Sequence, residues 1–414
     1  PLREMGEMAG VGMSRALRIV NRGLAELPAE LLGPQLTTLQ LSGNALASLP
    51  AELLSCPRLT DLGLSSNELT ALDGGILSTL RYLKALSLSG NELVQLPEEI
   101  GTLTSLELLA LGGNRICGLP LQIGWCHALR TLNLAENALT GLPDEVGSLL
   151  SLRTLRLDHN PSLDALPDAL CGLVSLEALS VARCCLRTLP EHLGELQARS
   201  TLQAKDNRLR FLPSSVGALG RLRTLSLSGN RLEELPAQLG GCSALRTLSL
   251  TANRLRCLPP LGTLTSLDEL RLDDNPLAAL PASLPPALSV LGLSVCNGVT
   301  ALPDAVGTLG QLRQLAIGAA RLSRLPRLAG LASLEILQLS GNVLAELPTD
   351  LGRLPSLTAL ELSDNRLSAL PASIGELAGL LTLRAAENSL SELPDTIGCL
   401  SSLRTLVVSA NCLH

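Results

Sequence analysis

Aromatic side chains are nearly missing from this chain: Tyr82, Trp125 and Phe211 are the whole set in 414 residues. So few rings exclude a core built around large aromatic plugs. They also predict a surface without the aromatic anchors that most often dominate binding hot spots. A basic excess is missing too. The formal net charge is −6, whereas general nucleic-acid binding needs a dominant positive surface with stacking aromatics. No run of about 18 apolar residues occurs, so the sequence offers no spanning helix. The stretch from Pro1 to Arg15 carries Arg3, Glu4 and Glu7 and lacks the apolar region of a secretory signal. The sequence contains no Asn-x-Ser/Thr sequon.

What the chain has instead is repetition. The phrase Leu-x-x-Leu-x-Leu-x-x-Asn returns about every 23 residues, cleanly at Leu222, Leu225, Leu227 and Asn230, then at Leu245, Leu248, Leu250 and Asn253. Arg22, Cys184, Cys296 and Ala320 fill the Asn slot in four copies, and 18 copies occur in all. Self-similarity at this period is the signature of a leucine-rich repeat solenoid. The expected fold is an α/β solenoid, a horseshoe with a parallel inner β-sheet and short helices or 3-10 turns outside. Residues 1–14 form an N-terminal flank or cap, and 15–414 form the repeat domain of 18 units of about 23 residues, the last one incomplete.

Each unit reads as a short strand, a turn at Asn, then Leu-Pro and a compact return segment. Leu225 and Leu227 face inward and Ser226 and Ser228 outward, the period of two of a strand. The Asn side chain turns inward to pair backbone groups that the turn leaves bare. Sixteen of the 17 units that run past the slot follow it with Leu-Pro, and Leu72-Asp73-Gly74-Gly75 is the exception. Proline suits the start of a helical turn, where its missing N–H is not needed.

The return phrase Leu96-Pro97-Glu98-Glu99-Ile100-Gly101-Thr102-Leu103 resembles the Ras-group leucine-rich repeat proteins. The resemblance covers about Arg15 to His414 and implies a non-catalytic interaction scaffold, with a small GTPase or a phosphatase among its partners. That family shares no catalytic motif, so no functional residue is carried over from it.

Eleven cysteines do not read as a disulfide framework. Cys56, Cys126 and Cys242 stand where other units place a return-segment leucine, and Cys184 and Cys296 replace the ladder Asn. These core substitutions, without a clustered cysteine cap, predict a reduced, cytoplasmic protein. Nothing points to a metal, a cofactor or catalysis. His127, His159, His192 and His414 fall in separate repeats, and His159 beside Asp158 reads as a solvated pair. Cys184-Cys185 has neither redox nor zinc spacing.

Departures from the pattern carry the remaining information. Arg199 stands where a core leucine belongs, and the expectation is that it swings to the edge. Return segments shorten between Pro259 and Leu334. The final leucines, Leu403, Leu406 and Leu413, with Val408, predict a column left open on one side and covered by further sequence or by another chain.

The charge layout supplies the binding candidates. Between Arg183 and Arg256 lie 12 basic and 5 acidic residues, a local +7 in a chain whose remainder is −13. Arg208, Arg231 and Arg254 each follow the Asn slot in consecutive units, and Arg187, Arg210 and Arg256 add to the same turn edge. Arg156, Asp158, Arg271 and Asp273 on the strand side complete the candidate contacts. The resulting reading is a scaffold or adaptor that binds a folded protein. The alternatives are the targeting domain of a larger signalling enzyme, such as a kinase or ubiquitin ligase, and a structural subunit of a large assembly.

Overall fold

A computed structural model describes residues 15–414, so the expected N-terminal flank, 1–14, lies outside the described residues. The chain forms two compact units that meet in sequence between Arg208 and Leu209. The first holds nine strands, from Ala16–Arg18 to Thr201–Gln203, and the second nine more, from Thr224–Ser226 to Thr405–Val407. Every strand is three residues long, and neighbours within each unit pair in parallel, one repeat to the next. The register matches leucine to leucine: Leu39 faces Leu62, and Leu225 faces Leu248. These central leucines are fully buried or nearly so, as are the strand-exit leucines such as Leu41 and Leu227. Each unit is therefore a solenoid whose core is a stacked leucine column, with no repeat able to bury its own apolar face alone.

The asparagines lock this stack. Asn253 accepts a hydrogen bond from the Leu232 N–H of the preceding turn at 3.1 Å. Its amide donates to the Leu227 carbonyl of the preceding strand at 3.0 Å and to its own strand's Leu250 carbonyl at 2.8 Å. The pattern recurs at Asn91, Asn137 and Asn365. One side chain thus satisfies backbone groups of two repeats, which is the reason a buried amide is tolerated.

The residue just before the slot is left-handed throughout, with φ between 51 and 73° in all 18 turns. Only five of these are glycine; Glu136, Asp206 and Asp364 are among the rest. A left-handed non-glycine costs roughly 1–2 kcal/mol. Its own N–H, donated to a carbonyl of the next repeat, holds the conformation, as Glu136 does to Asp158 O at 2.7 Å and Arg183 to Lys205 O at 2.9 Å.

Two turns explain two of the missing asparagines. Asn160 to Leu163 and Cys296 to Val299 each carry one extra residue, and each closes on itself: Leu163 N–H donates to Asn160 O and Val299 N–H to Cys296 O, both at 3.0 Å. The N–H that the next Asn would have served is already paired. The next slots are Cys184 and Ala320. Nothing in the structure gives an equivalent reason for Cys296.

Most return segments are five-residue 3-10 turns that begin after the proline, as at Glu98–Thr102 and Ala372–Glu376. The Leu72-Asp73 exception forms an α-helix, Gly74–Thr79, capped by Asp73 accepting the Ile76 N–H at 3.1 Å. The glycine of Ile-Gly is a seat for the next turn. A Cβ on Gly101 would lie 2.7 Å from the Gln122 carbonyl and 2.9 Å from the Trp125 ring, and one on Gly124 would lie 2.8 Å from the Glu145 carbonyl. Cys171 fills this seat in its unit, and the following turn is shortened to Leu193–Glu195. No 3-10 turn forms between Ser249 and Val290, where the return segments shorten.

Two expectations fail. Arg199 does not swing out: it is 0% exposed in the leucine column, and none of its three guanidinium nitrogens has a partner. Its backbone continues the repeat, its N–H donating to Leu196 O at 3.1 Å, so the aliphatic stem follows the leucine it replaces and carries the charge inward. Nor is the surface without aromatics. Tyr82, Trp125 and Phe211 are 64%, 57% and 49% exposed, because identical leucine layers leave no interior space for a ring. Leu406 in the last strand and Leu413 beyond the turn that follows it are exposed, as the sequence suggested.

Candidate functional site

The turn edge is built by residues one and three positions beyond the Asn slot. Alternation around the buried Leu232 and Leu255 forces Arg231, Glu233, Arg254 and Arg256 outward. Successive turns are tied backbone to backbone, Arg231 N–H to Leu209 O and Arg254 N–H to Leu232 O, both at 2.9 Å. Within the second unit Arg210, Arg231, Arg254 and Arg256 therefore occupy three consecutive turns. None of the four forms an ion pair among the described residues. Glu233 interrupts the outer row between Arg210 and Arg256, and exposed Phe211 stands beside Arg210. The first unit holds the other two candidates, Arg187 and Arg208, exposed and likewise without an ion pair, with Arg208 N–H donating to Leu186 O at 2.9 Å.

The strand-side candidates are more committed. Asp158 is buried; it accepts the Ala182 N–H at 2.9 Å and the Ser180 hydroxyl, with Arg156 at 3.9 Å. Asp273 accepts the Ser294 N–H at 2.8 Å in the same way. Both carboxylates serve backbone donors of the next repeat. Arg271 pairs with Glu269 at 2.9 Å. His159 contacts Arg183 at 2.9 Å, and Arg183 reaches Asp206 at 3.4 Å. A polar depression of about 370 Å³ in the second unit is lined by Asp268, Ala287, Ser289, Gln311 and Arg313.

No group of three or more His, Cys, Asp or Glu side chains among the described residues is placed to hold a metal ion, and no helix there is long and apolar enough to cross a membrane. The eleven cysteines are unpaired. Burial pushes the thiols of Cys126, Cys171, Cys184, Cys242 and Cys296 up to about 11. Such thiols behave as small core hydrophobes. The Cys184 and Cys296 thiols donate to the Leu157 and Leu272 carbonyls at 3.3 and 3.4 Å, covering part of the missing amide's role.

A parallel strand ladder, an asparagine ladder and a leucine column define a repeat solenoid that presents rows of side chains. The known-protein comparisons agree. Models for the leucine-rich repeat region match residues 280–412, for the leucine rich repeat 57–116 and 127–186, and for two-copy leucine rich repeats 220–262. A solved leucine-rich repeat protein of Leptospira interrogans is 31% identical, with 99% of this chain and 93% of that chain covered and a TM-score of 0.72. The chain belongs to the leucine-rich repeat family. YopM from Yersinia enterocolitica is 28% identical, covering 100% of this chain and 90% of that one, with a TM-score of 0.70. The ectodomain of the Arabidopsis thaliana receptor kinase GASSHO1, solved in complex with Casparian strip integrity factor 2, is 32% identical. There the match covers 93% of this chain and 51% of the receptor chain, with a TM-score of 0.67. No curated protein sequence matched the chain.

Proposed function

We propose that this protein is a non-catalytic protein-interaction module that docks an acidic protein surface on the turn edge of its second unit. The observation that carries this reading is the unpaired arginine row, Arg210, Arg231, Arg254 and Arg256, on consecutive turns. Like charges at strand spacing repel, and selection for stability alone intersperses acids, as it does elsewhere on this edge. Guanidinium groups pair carboxylates in a fixed bidentate geometry, and complementary charge raises the association rate. A scaffold role of the Ras-group kind, in the cytoplasm and with a GTPase or phosphatase as partner, rests on the Leu96–Leu103 phrase and on the cysteine usage.

The test is affinity capture followed by mass spectrometry, with the full chain as bait. Arg231→Glu, Arg254→Glu and Arg256→Glu together should abolish the captured set, and added salt should weaken it. The control triple changes exposed Arg221, Arg223 and Arg246 to Glu, on the strand-entry side of the same unit, and should leave capture intact. Equal capture by both triples would show that the row only solubilises the edge.

A further inference from the structure

The exposed large apolar side chains are distributed unevenly. In the second unit none of them lies in a return segment; Phe211 and Val295 lie at the turns, Leu381 precedes a strand, Leu406 is inside the last strand and Leu413 follows its turn. In the first unit Leu121, Trp125, Leu150 and Val174 all lie in the return segments of three consecutive repeats, and each is more than half exposed. They form one surface, because consecutive turns stack through their glycine seats: the Trp125 ring lies over Gly101, and Glu145 lies over Gly124 beside Trp125. Trp125 is the single tryptophan of the chain.

The charges on this surface are of one sign. Return segments 97–105, 120–128, 143–151 and 167–175 contain no Lys or Arg. They carry Glu98, Glu99, Asp144, Glu145 and Asp168, and none of these acids forms an ion pair among the described residues. Glu98 accepts only the Gln122 side-chain amide at 3.1 Å. The arginines that enter the adjoining strands are already engaged, Arg130 with Glu107 at 3.6 Å and Arg153 with Glu177 at 3.2 Å.

We infer that this face docks a basic amphipathic segment of another protein, with an apolar side chain on Trp125 and Lys or Arg on the surrounding acids. Trp125, the one aromatic ring within these four return segments, supplies the anchor that interfaces concentrate their energy on, and its face also attracts a cation. Four return segments span three intervals of at least ~5 Å, enough for about ten residues of helix. An acidic partner, or an anionic membrane, would be repelled. This inference uses a different unit and the opposite charge from the turn edge, so either can fail without the other.

The sole tryptophan makes the test direct. The probe is a synthetic 14-residue amphipathic peptide of leucine and lysine, about 21 Å long as a helix, with a counterpart carrying glutamate for lysine. Titrating the lysine peptide into the full chain should shift Trp125 emission to the blue, saturably, and the glutamate peptide should not. By anisotropy of labelled peptide, Trp125→Ala and the pair Asp144→Lys with Glu145→Lys should each weaken binding at least tenfold. All three residues are exposed or half-exposed, so melting temperature should not move. An unshifted emission, or equal binding by wild type and either variant, overturns the inference. So does a shift that appears with protein concentration alone, which would show that a second copy of the chain occupies the face.

Discussion

Glu92 and Arg115 occupy the same position in consecutive turns, one residue beyond the ladder asparagine, and their side chains pair at 3.3 Å. The turn edge therefore permits pairing between neighbours wherever the sequence supplies opposite charges. Arg231 and Arg254 stand in that same relationship with like charges. Arg254→Glu should recreate the pair, leaving stability within about 0.5 kcal/mol of wild type, since exposed pairs contribute little. The check is a thermal melt beside the capture experiment. Loss of partner with unchanged melting temperature supports a binding role, and a clear loss of stability would show the arginine to be structural.

The asparagine ladder gives a second expectation. Asn253→Leu strips the Leu232 N–H and the Leu227 and Leu250 carbonyls of their partner, and should cost about 1–3 kcal/mol or more. Ser226→Ala, on the outward strand face, should cost almost nothing. Denaturant titrations that find the two variants equally stable would rule out the ladder's energetic role.

Arg199 is the weakest point of the first unit. Burial lowers its guanidinium pKa to about 9, far under the usual arginine range, with the neighbouring Cys171 acting in the opposite direction. A base whose folded pKa is depressed binds fewer protons folded than unfolded between the two values, so the Arg199 contribution to stability should rise as pH climbs through about 9. The five buried thiols raised to about 11 act in the opposite sense. Arg199→Leu, which restores the column, should add about 1–4 kcal/mol near neutral pH, and its advantage over wild type should shrink as pH climbs through about 9. Melting curves across alkaline pH decide it. A variant less stable than wild type would mean the guanidinium has found partners in solution.

The cysteines provide a fourth. Cys117, Cys257, Cys399 and Cys412 are exposed, Cys185 is half-buried and the other six are buried. Iodoacetamide near neutral pH should add four adducts quickly and a fifth slowly, with six thiols reacting only after unfolding. Intact-mass spectrometry reads the count. Rapid modification of Cys184 or Cys296 would mean that the ladder opens readily at its two thiol rungs.

Much of this protein follows from its sequence alone, because a period of about 23 residues constrains every layer at once. The leucine phrase dictates three-residue strands in leucine-to-leucine register. The Asn slot dictates the turn, and Leu-Pro dictates where the return segment starts. Cys56, Cys126 and Cys242 are buried at the leucine slots their spacing assigned them. The arginine row on the turn edge was visible as well, since strict phasing puts every residue one beyond the slot on one side.

What the period could not supply is how neighbouring repeats use one another. The left-handed residue before each slot carries no glycine signature in most units, because the surrounding bonds, rather than the residue type, stabilise it. The extra residues at Asn160 and Cys296 are plain in the sequence, yet only the closed turns show why Cys184 and Ala320 need no amide. Asp158 and Asp273 read as surface acids until the neighbouring strand's N–H groups are seen beside them. Arg199 is held inside by the backbone of its repeat, and the three aromatics are held outside by leucine layers with no room for a ring. Those outcomes depend on packing between repeats, which only the tertiary structure decides.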